Sequence, residues 1–426
     1  MNKFFYKILV CFIIITFSKF SPSLCDDFIE KDDLNIKDEI TAASAAAIDA
    51  NSSNQIIEPQ INSRSAVVID RNSGTILYGK NENQKRKMAS TTKIMTAIII
   101  IENCNLNDTT IISKKAASTG GSRLGLKTGN KVSINDLLYG LLLRSGNDAA
   151  VALAEYCSGN VTNFAIKMNE KASELNLKDT HFETPHGLDS EAHYTTAYEL
   201  ATLANYAMKN TTFKNIVGTK LATISINGCS KQLSNTNELL GNFEGIYGVK
   251  TGFTNGANRC LVTACKRQNM DIICVVLGAD TKKFRTQDSV KLLNYVFNNF
   301  EIVNIEKIIT DNFKDWEIKN LSNIIINKSS SNSNLDLSLG EISNKNIPVR
   351  KDLIGSIIVN VNCSLYFESP VAKGCQLGNI EAIIGDKKIV EVPIFSNCDI
   401  KKKNWNNYFL ELLKKYSNIL NNVFIF

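Results

Sequence analysis

Histidine is nearly absent from this chain: only His181, His186 and His193 occur in 426 residues. None of the 11 cysteines forms a Cys-x-x-Cys pair or a spaced Cys/His cluster. Imidazole and thiolate metal centres need that clustering, so a metallopeptidase drops out and no metal or cofactor is expected. Charge of one sign is lacking too, because 48 Lys and Arg against 42 Asp and Glu leave a formal net charge of +6. That scattered excess is too small to suggest nucleic acid, though it suits an anionic cell surface. No apolar run reaches the roughly twenty residues of a membrane span. Ile8 to Phe17, behind Lys3 and Lys7, has the charged-then-apolar order of an export signal, with a cut after Ser23 or Cys25. Bulky Leu24 argues against lipid attachment at Cys25. Export often brings disulfides, but the cysteines show no framework spacing and read mostly as small apolar core residues. No repeat of fixed period is evident.

What is present centres on Ser90, in Met88-Ala89-Ser90-Thr91-Thr92-Lys93 just ahead of the apolar stretch Ile94 to Ile101. Lys93 follows one helical turn later, a spacing that brings Cβ atoms to about 5–6 Å. A serine hydroxyl is a weak nucleophile without an adjacent base, and a desolvated lysine can be that base. Alone, Ser-x-x-Lys is weak evidence. Two further motifs follow in order, Ser145-Gly146-Asn147 and Lys250-Thr251-Gly252. The ordered set Ser-x-x-Lys, Ser-Asp-Asn, Lys-Thr-Gly marks class A β-lactamases and penicillin-binding proteins, and here Gly146 stands at the middle position of the second motif.

On these residues the chain resembles the low-molecular-weight penicillin-binding proteins, the D-alanyl-D-alanine carboxypeptidases of the serine peptidase class. Ala66–Asp70 with Gly74–Tyr78, Ser122-Arg123-Leu124, Thr180-His181-Phe182, Pro185-His186-Gly187-Leu188, Asn235-Thr236-Asn237, Gly278 and Arg285 extend the likeness. It is close over 62 to 300 and looser over 301 to 395. A second Lys-Thr-Gly at 127–129 reads as a solvated polar turn, whereas the copy at 250 opens a run rich in β-formers, as an active-site edge strand should.

The implied fold class is α/β: an antiparallel sheet flanked by helices, with a helical insert, over 62–300. A signal peptide (1–25) and a flexible spacer (26–61) precede it. Apolar spacing predicts helices over Asn135–Leu143, Ala149–Cys157, Val161–Asn176, Thr196–Met208 and Gln287–Phe300. Short Ile/Val runs among Asn and Ser predict a small all-β domain over 301–398. The segment 401–426 predicts an amphipathic helix, with Trp405, Tyr408, Phe409, Leu412, Tyr416, Ile419, Leu420 and Val423 on one face behind Lys401-Lys402-Lys403. Such a helix suits the outer face of a cytoplasmic membrane; docking on the β domain or on a partner is the alternative.

For a carboxypeptidase acting on peptidoglycan stem peptides and acylated by β-lactams, the resemblance implies the following roles. Ser90 is the nucleophile and Lys93 the base. Ser145 relays a proton to the leaving amine, in contact with Lys93 and Lys250, and Asn147 hydrogen-bonds the substrate amide. Lys250 and Thr251 read the terminal carboxylate, with help from Arg285. Gly252 allows close approach of the strand, and the backbone N–H groups of Ser90 and Phe253 form the oxyanion hole. A class A-like β-lactamase is the main rival, but the glutamate such enzymes carry four residues before an asparagine is replaced by Ala172 ahead of Asn176. A non-catalytic wall-binding or sensor protein would have degenerate motifs, and these are intact. Endopeptidase activity stays open.

Overall fold

The computed structural model describes residues 37–41, 43–44, 56–330 and 335–423. The expected export signal and Cys25 lie outside them. The chain divides into two compact units, meeting in sequence between Asn299 and Phe300.

The first unit is built on a five-stranded antiparallel sheet. Its strands are β1 (Ser65–Asp70), β2 (Ile76–Lys80), β3 (Ile246–Thr254), β4 (Asn258–Arg267) and β5 (Met270–Ala279). They lie in the order β2-β1-β5-β4-β3, which leaves β3 at an edge. The β1–β2 hairpin turns at Asp70, whose carboxylate accepts hydrogen bonds from the backbone N–H groups of Asn72 and Ser73, an Asx-type closure. All of β1 is buried, so both sheet faces are covered. Val67 and Ile69 join the core shared with the helical insert, and by strand alternation Ala66 and Val68 point to the opposite face.

The insert comprises α1 (Lys93–Asn103), α2 (Ile134–Leu143), α3 (Asn147–Ser158), α4 (Val161–Glu174) and α5 (Ala197–Ala207), with two shorter helices. Ser133, Asn160 and Thr196 cap α2, α4 and α5 by accepting a hydrogen bond from the third residue on, as N-cap side chains do. Helix α1 is buried from Lys93 through Ile100. A helix apolar all round must sit inside, so α1 forms the middle of the insert. Helix α6 (Lys282–Asn299) closes the unit. It starts five residues before the predicted Gln287, because its polar first turns carry the buried Arg285 and Thr286, which apolar spacing does not register. Within the expected spacer, residues 37–41 and 43–44 are helical. Glu39 pairs with Lys283 and Gln287, and Ala43 is buried. That stretch is therefore packed on α6, not free.

The second unit has a four-stranded antiparallel sheet in the spatial order Leu337–Leu339, Lys387–Ser396, Gln376–Ile384, Ile357–Cys363. It also carries α7 (Ile305–Asn320), a helix that the Ile/Val runs did not announce. Ile305, Ile309 and Phe313, four apart, are its buried face, and they join Ile380, Val392 and Ile394 in one core. Helix α8 (Trp405–Val423) ends the described residues. Trp405, Leu412, Tyr416 and Ile419 on it are exposed, so these side chains are not docked on the β unit. No helix among the described residues is long and apolar enough to cross a membrane.

Candidate active site

Ser90 lies in a 3-10 turn, Ala89–Thr92, that runs directly into α1. Lys93 is fully buried, and its Nζ donates to Ser90 Oγ at 2.8 Å, Asn147 Oδ1 at 2.7 Å and the His186 carbonyl at 2.8 Å. An ammonium has three N–H donors, and these three acceptors come from three separate segments. The helix spacing seen in the sequence thus does bring the amine onto the hydroxyl. Ala89 and Ser145 both have left-handed backbones, at φ 48° and 59°. Such conformations cost about 1–3 kcal/mol in non-glycine residues and cluster at functional sites.

The Ser145 loop leads into α3. Ser145 Oγ is buried and makes no hydrogen bond, so its expected contacts with Lys93 and Lys250 are not formed. Asn147 holds Lys93 with one end of its amide and the Gly120 carbonyl with the other, at 2.8 Å. Both ends are committed to protein, not turned toward a substrate amide as expected. Asp148 accepts from the backbone N–H groups of Leu124, Gly125 and Leu126 at 2.8–3.0 Å, which cinches the Ser122–Leu126 loop against the motif. This explains the glycine at 146. A Cβ there would lie 2.9 Å from Asp148 Oδ1 and 3.2 Å from the Leu124 nitrogen, so an aspartate side chain does not fit.

Edge strand β3 lies against the serine turn. Lys250 and Thr251 are buried, with Lys250 Nζ donating to the Thr251 carbonyl at 3.0 Å and Thr251 Oγ1 to Thr236 Oγ1 at 2.8 Å. A Cβ on Gly252 would come within 3.1 Å of the Ser90 nitrogen, so the strand reaches the turn only with glycine there. Phe253 follows, its ring under the Arg259 guanidinium at 3.7 Å. Arg285 is fully buried and ion-paired with Glu238, which also accepts from Thr286 Oγ1. Where carboxylate recognition was expected of Arg285, its charge is already answered by a protein carboxylate.

Sequence reasoning assigned no role to the loop Pro185–Leu188, which forms the remaining wall. Thr96 Oγ1 donates to the Pro185 carbonyl at 2.6 Å. Gly187, at φ 85°, packs so tightly that a Cβ would sit 1.9 Å from the Ala89 carbonyl oxygen. Below it, His193 Nδ1 accepts from the Glu183 N–H at 3.0 Å, which leaves Nε2 to donate to Thr92 Oγ1 at 2.8 Å. Thr92 passes the chain on to the Ala89 carbonyl. Burial lowers the His193 pKa to about 4. Burial first, and then the Lys93 charge, lowers that of His186 to about 3. Both rings are therefore neutral scaffolding near neutral pH. The Pro-His-Gly-Leu run was the available signal.

A buried serine held by a lysine, a Ser-x-Asn loop and an edge-strand Lys-Thr-Gly match known proteins along most of the chain. The family profile described as D-alanyl-D-alanine carboxypeptidase matches residues 51–281. The chain belongs to this family. It is 35% identical over 358 residues to the D-alanyl-D-alanine carboxypeptidase DacF of Bacillus subtilis, covering 83% of this chain and 88% of that one. It is 30% identical over 408 residues to DacA of Escherichia coli, covering 92% and 94%. Among solved structures, the D-alanyl-D-alanine carboxypeptidase DacD of Francisella tularensis superposes with a TM-score of 0.66 at 28% identity, over 83% of this chain and 98% of that one. The DD-transpeptidase of Streptomyces K15 matches at 36% identity with a TM-score of 0.54, over 57% and 100%. This is thus an enzyme of the D-alanyl-D-alanine carboxypeptidase family, a serine hydrolase. The lactamase-like segment lacks its base: Ala172 is buried in α4, and Glu174 is mostly exposed and paired with Lys171 at 2.6 Å.

Proposed function

We propose that this enzyme removes the terminal D-alanine from peptidoglycan stem pentapeptides through an acyl-enzyme on Ser90. The observation that carries the proposal is the 2.8 Å contact of Lys93 Nζ with Ser90 Oγ inside a buried, three-acceptor cradle. In its neutral amine form, Lys93 takes the serine proton as Oγ attacks the carbonyl of the penultimate D-alanine. Ser145 Oγ, buried without a partner, is available to carry a proton to the leaving amine once substrate completes the contact. Lys250 and Thr251 bind the terminal carboxylate, with Arg285 and Glu238 setting the local charge behind them. Asn147 positions Lys93. The N–H groups of Ser90 and Phe253 receive the oxyanion, each donor being worth about 2.7–4 kcal/mol in the transition state.

Penicillin enters the same path and stays, because no glutamate stands at position 172 to activate a deacylating water. Export by the N-terminal signal would put the enzyme at its substrate. The exposed apolar face of α8, beside Lys401, Lys402 and Lys403, would rest on the outer face of the cytoplasmic membrane.

Intact-protein mass spectrometry with labelled penicillin, followed by D-alanine release from a pentapeptide, tests the reading. Wild type should give a stable adduct and release D-alanine, and Ser90→Ala should lose both signals, at least about 10⁴-fold in rate. Rapid turnover of penicillin with no action on the peptide would overturn it.

A further inference from the structure

The peptide unit that joins Ala89 to Ser90 is enclosed by two glycines from different segments. A Cβ on Gly187 would sit 1.9 Å from its carbonyl oxygen, and one on Gly252 would sit 3.1 Å from its nitrogen. In a trans peptide the C=O and N–H point in opposite directions from one rigid plane. The carbonyl end therefore faces the Pro185–Leu188 wall, and the N–H end faces β3. Whatever fixes the carbonyl also aims the N–H. Two side chains fix it in series. Thr92 Oγ1 donates to the Ala89 carbonyl at 2.8 Å, and His193 Nε2 donates to Thr92 Oγ1 at 2.8 Å. The Glu183 N–H bonds His193 Nδ1 at 3.0 Å, which keeps the ring proton on Nε2. We propose that Thr92 and His193 are positioning residues for the oxyanion hole. Their hydrogen-bond chain, ending on the Ala89 carbonyl, holds the Ser90 N–H toward the oxygen that becomes negative during acylation. This rests on the reading of Ser90 as the nucleophile.

Backbone and burial both support such a role. Ala89 has φ 48°, a left-handed conformation that a non-glycine residue keeps only where its surroundings impose it. The Thr92 hydroxyl on its carbonyl is such a constraint. Ala89, Thr92 and His193 are each 2% exposed or less. The Phe182 ring packs edge-on against the imidazole, with centroids 5.8 Å apart. Bulk water therefore does not supply a replacement donor if one link is removed. Hydrogen bonds in series also polarise one another, so a donor on the carbonyl strengthens the N–H of the same amide. Charge on the reacting oxygen develops only in the transition state, and the chain should act there and not on substrate binding. Neither side chain needs to touch the substrate, because the peptide unit carries the effect.

The test is acylation of the full-length protein across a range of penicillin concentrations, followed by intact mass. The time courses give the acylation rate constant and the dissociation constant of the complex that precedes it. Thr92→Val keeps the shape and removes the hydroxyl. It should lower the rate constant by about 10–100-fold and leave the dissociation constant within about twofold. His193→Leu should lower the rate constant by about threefold to tenfold. The two changes together should be no slower than Thr92→Val alone, because His193 acts through the hydroxyl. Thr92→Ser should recover most of the loss. An acylamido-boronic acid, tetrahedral on Ser90, should lose affinity in each variant by the factor by which acylation slows. An unfolded fraction lowers the amplitude of a time course and not its rate constant, and His193→Leu carries the test if Thr92→Val does not fold. Wild-type acylation rates in both variants, or losses that multiply in the double variant, would overturn the proposal with the nucleophile reading intact. A wild type that forms no adduct would defeat that reading, and this proposal with it.

Discussion

The tripeptide Lys-Thr-Gly occurs at 127–129 and again at 250–252, and the two copies behave as different chemistry. The first is an exposed turn, in which the Lys127 N–H donates to Asn130 Oδ1 and the Gly129 N–H to the Ile112 carbonyl. The second is buried in β3 against the serine turn, its lysine 1% exposed and its glycine so close that a Cβ would sit 3.1 Å from the Ser90 nitrogen. Identical side chains thus acquire opposite roles from what surrounds them. A surface lysine keeps its hydration, whereas a buried one would, as proposed, meet a carboxylate in a medium that screens it little.

Paired substitutions can break that contrast. Lys250→Ala should lower the rate of penicillin acylation and the kcat/KM on a D-Ala-D-Ala peptide by about 10²–10³-fold, in the range measured when one charge-stabilising donor is removed. Lys127→Ala should leave both unchanged and move stability by less than about 0.5 kcal/mol. Equal losses at the two positions would show that burial is not what separates them.

The glycines give a crossed test. Gly252→Ala drives a Cβ to 3.1 Å from the Ser90 nitrogen and 3.2 Å from the Met88 carbonyl. It should slow acylation by about tenfold or more. Gly129→Ala meets nothing within 4 Å but must hold φ at 83°. It should cost about 1–2 kcal/mol in denaturant unfolding with acylation intact. A stability loss without a rate loss at Gly252 would mean that the strand can yield.

The last contrast is in pH, and it touches only the region of the second copy. His193 is 2% exposed and has its pKa lowered to about 4, against about 6.5 when unfolded. Between those values the unfolded chain binds the extra proton. Stability is therefore whole above about pH 6.5 and falls by about 1.4 kcal/mol per pH unit as pH drops toward 4. His186, lowered to about 3, acts in the same direction. Urea unfolding between pH 7 and 5 should show the gap between wild type and His193→Gln narrowing as pH falls. A constant gap would mean that His193 does not couple to the proton.

Much of the site was legible because its motifs are local. Ser90 and Lys93 need only one turn of helix to meet, and the alternating and continuous apolar runs of β1, β4 and β5 announced the sheet. What escaped depended on partners distant in sequence. Gly146 and Gly187 look like ordinary loop glycines until Leu124 and Ala89 are seen packed against them. Arg285 looks like a carboxylate reader until Glu238 is found on it, and Asn147 like a substrate donor until Lys93 and Gly120 use both ends of its amide. Helix α7 escaped for a different reason: its three buried residues lie four apart in an otherwise polar run, too sparse to stand out beside the Ile/Val strands that follow.

By itself the sequence determined the family, the order of the three motifs and the elements that hold them, since helix and strand periodicities and short motif spacings are written in neighbouring residues. Only the tertiary structure decided which groups occupy Lys93 and which carboxylate answers the buried charge of Arg285. Those outcomes turn on the loss of water around a side chain and on contacts across 50 to 100 residues of chain, and no local pattern encodes either.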